Sequence, residues 1–411
     1  MNSMFTLGDS KSTSNIDEMN ILHVITGLQK AAGTSVFCGE VCNGLVAASH
    51  DVTIAVIDPT RADCYPIDPR IKLISISSIL DNSTRSTRST RQANSKLQTS
   101  NFELIHIHAL WSPILHKVSN WAHKNNMPVI WSPHGMLTSW AMNNKKWKKR
   151  LAWLVYQRKD LVRAVLLHAT AESEVEDIRR MGLKNRVVVA PLGVNLNSRI
   201  ERVERVDGKK VLLFVSRVQR KKGLLNLAKA WATLKLQTLN SKLQISNWCV
   251  RIVGPDQEGH TQEVKAECER LGILDDWEFV GPKYGDELQS EYANADLFVL
   301  PTHSENFGSV VIESLAHRVP VITTKGTPWY ELEGYTNSKL QTLNSKLKCG
   351  WWIDIGVEPL VNALQEAISL TDEELQFMGV RGRKLVEEKY TWDAVVKTTE
   401  KGYEEVLNGT A

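Results

Sequence analysis

Short, nearly continuous apolar runs recur along this chain. Ile21–Ile25, Val52–Ile57, Leu104–His108, Pro128–Ser132, Ala164–Thr170 and Arg186–Ala190 fall in one half; Val211–Val215, Val250–Gly254, Glu278–Gly281, Leu297–Leu300 and Pro320–Thr324 fall in the other. Runs of this length without strict polar alternation predict strands buried on both faces, as in a parallel sheet covered by helices. Helical stretches lie between them, Thr34–Ala48 after the first strand and Asp393–Leu407 near the end. The charged stretch Leu196–Lys209 has no apolar periodicity and divides the two series. The reading is therefore an α/β chain of two domains, over 19–198 and 199–388. Residues 1–18 are Ser- and Asn-rich and unpatterned, which predicts a disordered tail, with Met19 as an alternative start.

The stretch richest in chemistry is Leu297–Gly326, a strand, a polar turn at Thr302–Ser309, a helix and a second strand. The turn carries Glu305 and Gly308, and Glu313 follows inside the helix. A glycine lets backbone approach a ligand, and the first N–H groups of a helix attract anions. Two acids flanking an anion site suit a ligand with both phosphate and hydroxyl groups, such as a nucleotide sugar. A second candidate loop, Ser216–Gly223, follows the strand Val211–Val215 and carries Arg217 and Lys222. His134 ends the strand Pro128–Ser132 beside Gly135, at the strand end where α/β proteins bind ligands; a structural loop histidine is the alternative. His106 and His108 share one face of a strand and read as packed rather than catalytic.

Glu305-Asn306-Phe307-Gly308 followed by Glu313 resembles the E-x7-E signature of retaining GT-B glycosyltransferases, specifically glycosyltransferase family four. The resemblance spans about Asn20–Leu407. It implies a GT-B architecture, two Rossmann-like domains facing across a cleft, with a C-terminal helix over 389–411 returning to the first domain. It implies that Glu313 binds the ribose hydroxyls and Glu305 the transferred sugar. Asn306, Phe307, Gly308 and Ser309 would offer backbone N–H groups or walls, and Arg217 and Lys222 would hold the diphosphate. His134 would lie near the donor sugar, and Gly33 and Thr34 near the donor phosphates. Gly33 follows Ala32 where many relatives carry a Gly-Gly pair, and a plain tight turn is the competing reading there. A leaving diphosphate gains negative charge that fixed cations stabilise. The sequence holds no D-x-D motif, so the expectation is a site without metal or cofactor. The implied partners are a nucleotide sugar and a glycan or lipid-linked acceptor, as in lipopolysaccharide or exopolysaccharide assembly. A non-hydrolysing sugar-nucleotide epimerase of the same fold, and a catalytically dead interaction protein, are the alternatives.

Composition changes this picture little. The chain has 411 residues, 42% hydrophobic, with net charge +4. No run reaches the ~18 apolar residues of a membrane span. Six scattered cysteines lack paired metal spacing and read as reduced thiols, with Cys38 and Cys42 a small buried pair on one helix, which makes a cytoplasmic protein the default. Charge is uneven along the chain. Lys145, Lys146, Lys148, Lys149, Arg150, Arg158, Lys159 and Arg163 crowd one segment against Asp160, with Trp147, Leu151, Leu154 and Val155 at helical spacing. This suits peripheral contact with an anionic membrane through Lys145–Arg150, or equally a solvated face over a core-facing stripe. No nucleic-acid motif accompanies it, so no nucleic-acid partner is expected.

One nonapeptide occurs identically at Lys235–Leu243 and Lys339–Leu347, and Asn94–Thr99 is a shorter relative following Ser-Thr-Arg repeats at Ser83–Arg91. Unequal spacing excludes a solenoid. The copies read as low-complexity insertions into surface loops, Lys235–Ser246 and Thr336–Lys348 among them, with a shared partner-binding peptide as the alternative.

Overall fold

The apolar runs assemble into two parallel sheets in the computed structural model, which describes residues 18–29, 33–60, 65–81, 102–196, 208–238, 245–334 and 348–409. The first sheet holds β1 (Asn20–Val24), β2 (Asp51–Val56), β3 (Lys72–Ser75), β4 (Leu104–His108), β5 (Val129–Ser132), β6 (Leu166–Ala169) and β7 (Val187–Val189), in the order β3-β2-β1-β4-β5-β6-β7. The second holds β8 (Lys210–Val215), β9 (Trp248–Val253), β10 (Trp277–Gly281), β11 (Leu297–Leu300), β12 (Val321–Thr324) and β13 (Gly350–Ile353), in the order β10-β9-β8-β11-β12-β13. Two strands were absent from the sequence reading, β3 and β13. Both are edge strands, and β3 is only partly buried, so the pattern that marks a central strand is weak there.

Alternation along the strands splits the first domain's core between the sheet's two faces. Ile21, Leu104, Ile130 and Leu166 point to one face, and Leu22, Ile105, Trp131 and Leu167 to the other. The first face is covered by the helix Gly33–Ala47 and by the C-terminal helix Trp392–Leu407. These two helices pack closely: a Cβ on Gly44 would lie 2.3 Å from Val396. Side-chain bonds tie the C-terminal helix down further. His50 Nε2 meets Glu400 Oε1 at 2.7 Å, and Arg186 donates to Glu405 at 2.6 Å.

The expected loop Lys235–Ser246 begins later than the sequence suggests. The helix Leu224–Thr238 continues through Lys235, because Leu234 is buried and Lys235 reaches Asp276 at 2.7 Å. Ile245–Asn247 is already a 3-10 turn leading into β9. The rest of that insertion, residues 1–17 of the expected tail, 197–207 of the linker, Asn94–Thr99 and Lys339–Leu347 lie outside the described residues.

Candidate functional site

In the second sheet the strand order reverses between β8 and β11, which pair with each other while β9 and β12 lead away on either side. Loops leaving two such strands diverge and open a crevice at their C-terminal ends. Lys222 comes from the β8 loop and Glu305 from the β11 loop. A buried ion pair joins them across this opening, with side chains 8% and 15% exposed. Thr302 Oγ1 adds a hydrogen bond to Glu305 at 3.2 Å.

Backbone contacts fix the pair. The His303 N–H donates to the Lys221 carbonyl at 2.8 Å, and the Glu305 N–H to the Gly326 carbonyl at 2.7 Å. Gly223 ends the lysine turn with φ +76°, and a Cβ there would stand 2.0 Å from the Pro301 carbonyl oxygen. Only glycine satisfies both the left-handed conformation and that approach. Arg217 is exposed beside this loop, with one long hydrogen bond of 3.4 Å to Gln257. Burial holds the Lys221 ammonium below the usual lysine range; Glu305 opposes this, while Lys222 and Arg217 add repulsion. The loop thus presents concentrated positive charge, with Glu305 as counterion of Lys222 and Glu263 of Arg220.

Gly308, at φ +81°, caps the helix Ser309–Ala316. Glu313 lies one turn into it and accepts a hydrogen bond from Tyr292 Oη at 2.8 Å. Burial raises the Glu313 carboxyl above its ordinary range, and the bonds from Tyr292 and Ser309 pull the other way. Phe307 departs from the expected wall. Its ring is 5% exposed and packs on Trp329 and Tyr390, at centroid distances of 5.0 and 5.9 Å. Its side chain is core, which leaves its backbone as the part available to a ligand.

The first domain meets this loop at Asn306. A Cβ on Gly135 would lie 2.5 Å from the Asn306 side chain, and Asn306 Nδ2 donates to Thr170 Oγ1 at 2.8 Å. Glu174 organises the contact: its carboxylate accepts from the Gly135 N–H at 2.5 Å and from the Thr170 N–H and hydroxyl at 2.8 Å each. Burial raises the Glu174 carboxyl against these bonds. Glu174 lies in the first turn of the helix Glu172–Arg180, and its partners Gly135 and Thr170 are 39 and 4 residues away, so no local pattern marks it. His134, at φ +51°, precedes Gly135 and so borders the Asn306 contact. Burial, with charge on His168 adding to it, drives the His134 imidazole down to about 3, so it is neutral near pH 7. Gly33 and Thr34 start the first helix, and a Cβ on Gly33 would meet nothing within 4 Å. Among the described residues no hydrogen bond joins either to the Glu305 loop.

The basic segment forms helices Ser139–Asn143, Lys146–Ala152 and Arg158–Arg163, the last two joined by a π-helical turn at Trp153–Gln157. The core-facing alternative fails. Trp147, Leu151, Leu154 and Val155 are 68%, 57%, 80% and 68% exposed. Lys149 is the member that turns inward, donating to the Ala141 carbonyl at 2.6 Å. Trp140, also exposed, lies with its ring centre 4.1 Å from Lys221 Nζ, which connects this segment to the phosphate-loop candidate. Among the described residues no helix is long and apolar enough to cross a membrane.

Residues 32–193 match the glycosyl transferase 4-like domain family, and residues 197–384 match glycosyl transferases group 1. An uncharacterized glycosyltransferase, MJ1607 of Methanocaldococcus jannaschii, is 25% identical over 193 residues, 47% of this chain and 44% of that protein. The chain thus spans less than half of that relative's length. Sucrose-phosphate synthase from Thermosynechococcus elongatus superposes with a TM-score of 0.69 at 18% identity, over 95% of this chain and 100% of that one. Anabaena HepE, solved in complex with UDP and glucose, superposes with a TM-score of 0.65 at 14% identity over 95% and 100%. At these identities the likeness establishes the fold, two parallel-sheet domains in the GT-B arrangement.

Proposed function

Because the chain joins a glycosyl transferase 4-like domain to a glycosyl transferases group 1 domain, we propose that it is a retaining glycosyltransferase. It moves a sugar from a nucleotide-diphosphate donor to a glycan or lipid-linked acceptor. The observation that carries this reading is the buried Lys222–Glu305 pair at the switch point of the second sheet, bordered through Asn306 by His134–Gly135 of the first domain. The UDP bound by Anabaena HepE supports a nucleotide donor.

In this reading the donor diphosphate replaces Glu305 as the counterion of Lys222. Arg217 and the N–H groups opening the helix Ser309–Ala316 complete the anion site. Glu305, released from the lysine, turns to the hydroxyls of the transferred sugar, and Glu313 takes the ribose hydroxyls. Charge develops on the departing diphosphate as the glycosidic bond breaks. A lysine already desolvated and fixed stabilises that charge without reorganising. The acceptor hydroxyl attacks from the face the diphosphate leaves, and a phosphate oxygen takes its proton, so no protein nucleophile is needed. Neutral His134 hydrogen-bonds the sugar in this reading, which its place beside the Asn306 contact supports. The side chains do this without a divalent ion or cofactor.

The acceptor arrives from an anionic membrane surface, the protein being cytoplasmic and peripheral. Exposed Trp147, Leu151, Leu154 and Val155, flanked by Lys145, Lys146, Lys148 and Arg150, support this. Their link to the donor loop through Trp140 and Lys221 adds to it. A melting-temperature screen against nucleoside diphosphates and their sugar conjugates tests the donor site, since a ligand that binds only the folded chain raises stability by mass action. A shift that appears with one nucleotide and disappears in Lys222→Ala is expected. No shift with any of them overturns the reading.

A further inference from the structure

The site above uses His134 but leaves a buried group of side chains behind it unexplained. His23, His106, His108 and His168 project from β1, β4 and β6 onto one face of the first sheet, and each is at most 1% exposed. Cys38 and Cys42, both fully buried, stand four residues apart on the helix Gly33–Ala47 that covers this face. Two triads here have donor atoms all within 4.8 Å of one another: His23 with His106 and His108, and His23 with Cys38 and Cys42.

We propose that His23, Cys38 and Cys42 form a structural binding site for a thiophilic divalent metal, zinc above all, inside the first domain. Chemistry selects this triad over the other. Two thiolates and a neutral imidazole cancel the charge of a divalent ion, whereas three imidazoles leave two positive charges buried, which is costly. Zinc takes sulfur at about 2.3 Å, which places two thiolates of a tetrahedral site ~3.8 Å apart. The donors therefore need to close by at most about 1 Å from their present spacing.

His23 Nδ1 lies 3.0 Å from His108 Nε2, and Nε2 lies 3.4 Å from Tyr403 Oη. A metal on Nε2 leaves Nδ1–H to donate to His108, whose Nδ1 lies 3.1 Å from His134 Nε2. Metal binding at His23 thereby sets the tautomers along a line that ends at the cleft, with no metal in the donor site itself. Two cysteines one turn apart on a core helix are also compatible with simple packing.

Metal content and Co2+ titration of the full-length chain, purified under reductant and stripped with a chelator, decide between these. The site predicts saturation at one equivalent of Co2+ with thiolate-to-cobalt absorption that Zn2+ abolishes. It predicts loss of that absorption in Cys38→Ala and in Cys42→Ala, and its persistence in Cys268→Ala. X-ray absorption of the zinc-loaded unaltered chain needs no variant and should show two sulfur ligands with imidazole nitrogen. Zinc bound by oxygen and nitrogen alone, absorption that survives the Cys38→Ala/Cys42→Ala double change, or no thiolate–cobalt band in the folded chain overturns the proposal. None of these readouts depends on transferase activity, so failure here and failure of the proposed function are distinguishable.

Discussion

Replacing Lys222 separates what this residue does for folding from what it does for turnover. Its side chain is 8% exposed and that of its partner Glu305 is 15% exposed. Lys222→Ala leaves the Glu305 carboxylate without its cation, and breaking a buried pair from one side costs about 3–5 kcal/mol of stability. The same change removes a fixed charge from the leaving diphosphate, worth roughly 10²–10³ in turnover, or about 2.7–4 kcal/mol. The two losses are of similar size, so the single variant alone does not distinguish them. Lys222→Met combined with Glu305→Gln does, when Glu305→Gln alone is measured beside it as the reference for what Glu305 contributes at the sugar. Exchanging both members of a buried pair for uncharged groups of similar volume is often close to neutral, so the double variant should regain most of the lost stability in urea unfolding. Its turnover, measured as nucleoside diphosphate released with saturating donor, should stay at least about 100-fold below that of Glu305→Gln. A double variant that recovers turnover along with stability refutes the catalytic role of Lys222. A single variant with unchanged turnover refutes it equally.

Glu313→Gln removes a buried carboxylate from the ribose site, where ground and transition states are held alike. The donor KM should rise about tenfold or more, with kcat within about threefold; a fall in kcat at unchanged KM contradicts the assignment. Burial holds His106, His108, His134 and His168 below the ordinary histidine range. Below about pH 6.5 the unfolded chain therefore binds protons that the native chain does not, and each such histidine removes up to about 1.4 kcal/mol of stability per pH unit as the pH falls. Glu174 and Glu313, raised by burial, oppose this in part because the native chain holds their protons to higher pH. The urea midpoint should be lower at pH 5 than at pH 7, and an equal or higher value contradicts the buried neutral histidines. Leu154→Asp with Val155→Asp, or high salt, should release the protein from anionic vesicles in co-sedimentation. Salt-insensitive binding, or none at any salt, removes the membrane reading. Adding Mg2+ or Mn2+ should leave the transfer rate unchanged, and dependence on either contradicts a donor site built from side chains alone.

Much of the fold was legible because parallel strands buried on both faces leave long apolar signals, as at Leu104–His108 and Leu297–Leu300. The edge strands β3 and β13 leave weaker ones. The positions of Lys222 and Glu305 in loops after β8 and β11 were readable because a local motif reports position, and the structure pairs the two. Other features were not, for physical reasons. Phe307 sits in that same motif, yet its ring packs into the core, and side-chain direction there depends on Trp329 and Tyr390, far along the chain. Glu174 joins Gly135 and Thr170 by bonds that exist only once β5 and β6 are paired. The stripe from Trp147 to Val155 has helical spacing, but spacing alone does not say whether such a stripe faces core or solvent. The histidines were visible as alternation on β4, while their convergence with Cys38 and Cys42 required the topology that sets β1 beside β4.

The central claim is sugar transfer with retention, driven from the Lys222–Glu305 site. Proton NMR of the product formed from a donor of known anomeric configuration tests it most directly. The account predicts release of nucleoside diphosphate and a new glycosidic bond with the donor's own anomeric configuration. An inverted product, or an isomerised sugar nucleotide with no bond to an acceptor, would contradict it.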